Sequence, residues 1–149
     1  NDDDWEVRQA LASNPALTRE AQECLADDDD WTVRHALARN LVLVPAVQTL
    51  LVNDPHWEVR QALASNPALT AKAQRLLAFN PLLREALARN PSLSEALQER
   101  LAADSVCAVR EALASNPVLT QKVQARLAAD RVCAVREALA GNPALTTRE

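Results

Sequence analysis

The chain has 149 residues, 48% of them hydrophobic and 24% charged, and its 16 Lys and Arg against 20 Asp and Glu leave a net charge of −4. Its apolar mass is 29 Ala, 23 Leu and 13 Val with no Ile, Met or Tyr; Ala and Leu are good helix formers, and one glycine, Gly141, cannot supply the turns of a β-rich fold. The acidic balance, with a pI of about 5.2, argues against a general nucleic-acid binder, and the longest apolar run, Leu41 to Val47, is far short of the ~18 residues of a membrane span.

An internal repeat organises everything else. The Arg of a Val-Arg or Leu-Arg pair recurs at Arg8, Arg34, Arg60, Arg84, Arg110 and Arg136, in steps of 26, 26, 24, 26 and 26 residues. An Asn follows six residues after each, at Asn14, Asn40, Asn66, Asn90, Asn116 and Asn142. The segment WEVRQALASNPALT at Trp5 to Thr18 reappears unchanged at Trp57 to Thr70, and VCAVREALA occurs at both Val106 and Val132.

Each unit carries two helical signals separated by a stop. An Asp six residues before the Arg (Asp2, Asp28, Asp54, Asp104, Asp130) is expected to cap the first helix, with Pro55 at the first helical position of the third. Val33, Ala36, Leu37 and Asn40 then fall at i, i+3, i+4 and i+7, the inner stripe of a helix of roughly 10 residues. Gln9, His35, Gln61, Glu85, Glu111 and Glu137 lie on its outer flank. Asn-Pro ends the helix, because proline disfavours helical geometry in the residue before it. Next comes Thr18, Val44, Thr70, Ser94, Thr120 or Thr146, five of the six able to cap a second helix of about two turns through a hydroxyl. Elements this short cannot hide an apolar stripe alone, so successive units must stack. The predicted fold is all-α: a single repeat domain over residues 1–149, about six repeats of 24 to 26 residues with the first and last incomplete.

The string V-R-x-A-L-A-x-N-P-x-L-T, seen most fully in Val59 to Asn80 and Val109 to Asp130, resembles the leucine-rich repeat variant family over essentially the whole chain. That resemblance implies a right-handed α-solenoid in which α-helices alternate with short helices that are often 3₁₀. Some relatives carry an iron–sulfur cluster ahead of the repeats; no C-x-x-C spacing occurs here, and no cofactor or metal is expected.

Cys107 and Cys133 occupy the repeat position of Trp5, Trp31 and Trp57, and Cys24 is in register with Leu50 and Leu76. They read as small buried hydrophobes, and their odd number fits a reducing, cytoplasmic setting. The exchange of Trp for Cys places that column at the edge of the core, with Val106 and Val132 filling in for the lost indole. Trp31 and Arg34 share a helix edge, which allows a guanidinium to lie on the indole. Two readings follow for Trp5, Trp31, Trp57, Arg8, Arg34 and Arg60: a recognition stripe, or a seal between repeats with the Arg column pairing to the junction aspartates. The recurrent Asn should serve loop backbone of the adjacent unit. Gln22, Gln48, Gln74, Gln98 and Gln124 either do the same or line an open face.

No catalytic constellation occurs, so a non-enzymatic role is expected. Solenoids bind through exposed positions that vary between fixed core positions, here chiefly His35, Arg39, Glu85, Arg89, Ser13, Ser65 and Ser115. The expected function is a protein- or peptide-binding scaffold module within a longer polypeptide, with no membrane insertion and nucleic acid disfavoured. The rival readings are a nucleic-acid-binding helical repeat and an accessory domain of an enzyme whose active site lies elsewhere.

Overall fold

The computed structural model describes residues 4–146, and these are helix and turn with no strand among them. They form two compact units that meet in the chain between Leu77 and Ala78. The first contains α1 (Trp5–Ala12), α2 (Arg19–Ala26), α3 (Trp31–Ala38), α4 (Pro45–Leu51), α5 (Trp57–Ala64) and α6 (Ala71–Leu77). The second contains a 3₁₀ turn (Pro81–Leu83), α7 (Arg84–Ala88), α8 (Glu95–Ala102), α9 (Cys107–Ala114), α10 (Gln121–Ala128), α11 (Cys133–Ala140) and α12 (Pro143–Thr146).

Within each unit the helices before α12 pack on the one two places along, and α12 packs on α11. In the first unit α3 lies between α1 and α5, while α4 lies between α2 and α6; in the second α9 lies between α7 and α11, and α8 packs on α10. First helices therefore make one layer and second helices the other, the helix-pair stacking of an α-solenoid. The stripe read from the sequence is the core: Val33, Leu37, Val59, Leu63, Leu87 and Leu113 are buried, and Val47, Ala73, Leu77 and Val123 meet them from the second layer.

The ends of the helices explain their lengths. First helices stop at Ala12, Ala38, Ala64, Ala88, Ala114 and Ala140, two residues before each Asn. Second helices begin where Thr18, Thr70, Ser94 and Thr120 accept from the N–H three residues on, at 3.2–3.3 Å. Val44 has no hydroxyl to offer, and Pro45 at the first helical position, which needs no N–H partner, stands in its place. The side chain of Thr146 and all of Asp2 lie outside the described residues.

The junction aspartates differ from expectation. Asp28, Asp54, Asp104 and Asp130 stand ahead of the helix and accept from the N–H two residues later, at 2.9 Å. The cap itself is Asp30, His56, Val106 or Val132. Pro55 accordingly lies two residues before α5 and outside it, and the full first helices span eight residues. Of these caps Asp30 bonds the first turn, taking Thr32 N and Thr32 Oγ1 at 2.9 and 2.6 Å, which holds its carboxyl below the usual range.

Second helices are α rather than 3₁₀. Gln22, Gln48, Gln74, Gln98 and Gln124 each donate their backbone N–H to the residue four earlier at 2.9–3.1 Å. The 3₁₀ turn sits instead at the start of the fourth first helix, where the chain is two residues shorter. There Ala78 occupies the position of the junction Asp and Pro81 that of Trp or Cys, and Asn80 caps by accepting from Leu82 N at 3.0 Å.

The two amide columns tie neighbouring repeats together. Asn40 donates Nδ2 to Ala12 O and Asn14 O at 2.8 and 3.0 Å and accepts from Val42 N at 3.0 Å. Asn66, Asn116 and Asn142 repeat the arrangement, each against the repeat before its own. The open choice for the glutamines resolves to the same kind of work: Gln22 donates Nε2 to Leu17 O and Val42 O and accepts from Val44 N, and Gln48 and Gln98 do likewise. Every buried side-chain nitrogen or oxygen among the described residues has a partner, as burial of polar groups demands.

Candidate protein-binding face

The Arg column is an ion-pair ladder along the starts of the first helices. Arg8, Arg34 and Arg110 each meet the Asp 20 residues later through Nε at 2.7 Å, with a second bond from Nη2 at 3.2–3.3 Å. Arg84 reaches Asp104 at 3.4 Å. Arg34, Arg60, Arg84 and Arg110 also turn back to the junction carbonyl six residues earlier: Arg34 to Asp28 O at 2.6 Å, Arg84 to Ala78 O at 2.8 Å, Arg110 to Asp104 O at 2.7 Å, and Arg60 to Asp54 O. Arg60 makes no ion pair among the described residues, and the junction position that carries Asp in the other repeats is Ala78 in the next one.

Arg34 and Arg110 are buried by this work, and the guanidinium of Arg34 does not lie on Trp31. Its Nη2 is instead 3.2 Å from His56 Nδ1. The indole of Trp31 stacks on the His56 ring at 5.6 Å and meets His35 edge-on at 6.0 Å.

The fork of Arg110 holds the Asp130 carboxyl below the usual carboxylate range, with Val132 N adding to the effect. A carboxyl with a depressed pKa contributes stability at pH above its unfolded value, and that contribution disappears as pH falls through the folded one. The wild type is therefore expected to lose stability between about pH 4 and lower values, starting near the ordinary Asp pKa. Arg110→Met should flatten that acid limb, as read from urea midpoints collected across the range.

Outward from the ladder, each first helix carries an i, i+4, i+8 row on its exposed side. In the first unit the rows are Trp5–Gln9–Ser13, Trp31–His35–Arg39 and Trp57–Gln61–Ser65. The indoles are 43%, 37% and 57% exposed, which bears out their placement at the core edge. Two open clefts separate the rows. One, of about 470 Å³, lies between α1 and α3 and is lined by Gln9, Ser13, His35 and Arg39; the other, of about 520 Å³, lies between α3 and α5 and is lined by His35, Arg39, Glu58, Gln61 and Ser65. Partial burial and the adjacent Arg39 push the His35 imidazole below its ordinary pKa, with Glu58 opposing, so this ring favours the neutral form.

In the second unit the corresponding rows are Pro81–Glu85–Arg89, Cys107–Glu111–Ser115 and Cys133–Glu137–Gly141. Glu85 and Arg89 are spent on each other at 2.9 Å. Of the candidates, then, Trp31, His35 and Arg39 come together with Trp57 on one face of the first unit. Arg8, Arg34 and Arg60 belong to the ladder, and Glu85 and Arg89 form a separate pair in the second unit.

The cysteines are corrected: Cys24, Cys107 and Cys133 are all exposed. Cys24 is one residue before buried Leu25, and the helical turn of about 100° per residue carries it outward, where Leu50 also lies. Cys107 and Cys133 share the exposed rows, so the change from Trp opens no cavity. Val106 is half exposed at its helix cap and fills none. Sequence reasoning named neither Gln9, Gln61 nor Glu58 as cleft residues; for Gln9 and Gln61 the signal available was the i+4 spacing from Trp5 and Trp57, which Glu58, next to Trp57, does not share.

Stacked helix pairs with a polar ladder at the seams and variable exposed rows define a helical-repeat solenoid. Residues 43–66, which span α4 and α5, match the HEAT repeat family model, and this stretch is similar to a HEAT repeat. The matched unit pairs a second helix with the first helix that follows it. HEAT-type modules are commonly protein-interaction scaffolds. No curated protein and no solved structure matches the chain. No described helix is long and apolar enough to cross a membrane.

Proposed function

We propose that this protein is a non-catalytic, cytoplasmic scaffold module that binds a protein or peptide across the first-helix face of its first unit. The observation that carries the reading is the division of labour among the polar and aromatic side chains. The recurring Asn and Gln amides and the paired Arg–Asp ladder are consumed by backbone or by each other. On the outer rows Trp57 is more than half exposed, and the side chains of Gln9, Arg39 and Gln61 make no hydrogen bond or ion pair among the described residues. Exposed aromatic and Arg groups beside clefts are the usual anchors of binding interfaces. We further assign the repeats to the leucine-rich repeat variant family, on the V-R-x-A-L-A-x-N-P-x-L-T string carried in full by the units starting at Val7, Val59, Val109 and Val135 and with substitutions by those at Val33 and Leu83.

The test is selection from a displayed library of random peptides against the whole chain, followed by binding to two variants. Trp57→Ala is expected to cost about 1 kcal/mol or less in stability, as for a partly exposed side chain, while weakening selected peptides by at least about tenfold, the scale of an interface anchor. Lys72→Ala, at an exposed position of α6, should leave binding unchanged. Equal binding to wild type and Trp57→Ala, or a tight mobility shift with DNA or RNA in place of peptide binding, overturns the proposal.

A further inference from the structure

Arg39 stands out among the arginines of the first unit. It is exposed, lines both clefts, and its guanidinium has no hydrogen bond or carboxylate partner among the described residues. The same register position in the second unit is Arg89, whose Nη1 lies 2.9 Å from Glu85 Oε1 one turn earlier. In α3 that partner position is His35, which favours its neutral form and offers no charge. The negative end of the helix dipole accounts for a basic residue at either site, but it supplies no fork partner.

On either side of Arg39 the clefts present Gln9 and Gln61, whose side-chain amides are also unengaged, in contrast to Gln22 and Gln48 in the second layer. Packed helices are about 8–10 Å apart, and an extended strand advances about 3.3 Å per residue. A strand laid across α1, α3 and α5 thus meets a new row about every third residue. Its backbone can bond the two amides while its middle residue faces the guanidinium.

We infer that the first-helix face of the first unit binds an extended peptide through a single internal Asp or Glu, whose carboxylate takes the open fork of Arg39 between the amides of Gln9 and Gln61. This rests on the binding face proposed above. A planar guanidinium recognises a carboxylate with two parallel bonds, which favours an acid over an amide of the same shape. The acid is internal to the strand because Arg39 opens onto clefts on both sides; a chain ending at its own terminal carboxylate would leave one cleft empty. It is single because Glu58 lines the cleft toward α5 and repels a second acid there. The second unit is not the receiving surface, since Glu85, Glu111 and Glu137 hold the equivalent positions.

The experiment uses the full chain and pools of nine-residue peptides, acetylated and amidated, with Asp, Asn or Lys fixed at the centre and the other positions mixed. Binding is read by fluorescence polarisation. The Asp pool is expected to bind at least about tenfold tighter than the Asn pool, the scale of a charge-assisted fork. Arg39→Gln should erase the difference, and Arg39→Glu should turn the preference to the Lys pool. Arg39 touches no structural partner, so Arg39→Gln should melt close to the wild type and Arg39→Glu only slightly lower, by its charge at the negative end of the helix dipole. Equal binding of the Asp and Asn pools, or a preference that survives Arg39→Gln, overturns the acidic specificity; loss of that binding in Trp57→Ala then leaves the face itself standing. Binding confined to a further pool, left with a free carboxyl terminus, overturns the internal acid. No binding by any pool, with or without the variants, sinks the inference and the binding face together.

Discussion

Arg34→Met is expected to destabilise the protein by about 3–5 kcal/mol, the range for removing one partner of a buried ion pair. Asp54 is 6% exposed and receives both Nε and Nη2 of Arg34. Without the guanidinium its charge stays buried with the N–H of His56 as its remaining close donor, and the carbonyl of Asp28 loses a 2.6 Å bond. Adding Asp54→Asn should recover much of the loss, because a neutral amide still accepts from His56 N while carrying no uncompensated charge. Arg60→Met is the internal comparison: Arg60 has the carbonyl bond and no ion pair among the described residues, so its loss should cost clearly less. Urea denaturation of the three variants decides the matter, and equal effects for Arg34 and Arg60 would remove the ion pair from the account of stability.

Asn40→Ala should cost about 3 kcal/mol, since it strands two carbonyls and one N–H that the folded chain hides from water. The partners are Ala12 O and Asn14 O of the preceding repeat and Val42 N of its own loop. Asn40→Asp should be no milder: it preserves the acceptor for Val42 N but turns a negative oxygen toward two carbonyls. Because the lost bonds join adjacent repeats, the damage should spread along the stack. Hydrogen exchange would show it as lowered protection of α1 and α3 together, whereas a purely local loop effect would leave α1 protected.

Much of the fold was legible because its signals are local. The Asn-Pro stop, the hydroxyl caps at Thr18, Thr70, Ser94 and Thr120, and the Val33–Ala36–Leu37–Asn40 stripe act within four residues of one another, and each produced the predicted element. The errors arose where a side chain had two plausible targets at different distances. Asp54 was read as capping its own helix, as an Asp beside Pro often does; in the folded chain it serves His56 N and a guanidinium from the previous repeat. Cys24 was read as buried from its register with Leu50 and Leu76, yet periodicity says which residues share a face and not whether that face is covered.

The sequence by itself determined the repeat period, the helix pairs, their stops and the residues that had to be inside, since these follow from backbone sterics and from burial of an apolar stripe. Only the tertiary structure decided between the open readings of the Gln and Arg columns, while the service of the Asn column to the adjacent repeat was legible beforehand. The Asn and Gln amides find backbone in the neighbouring repeat, and Arg34 finds Asp54. The contrast between Arg39 and Arg89 is local, since the residue one turn earlier is His35 in one and Glu85 in the other; the fold added that both clefts beside α3 open onto Arg39.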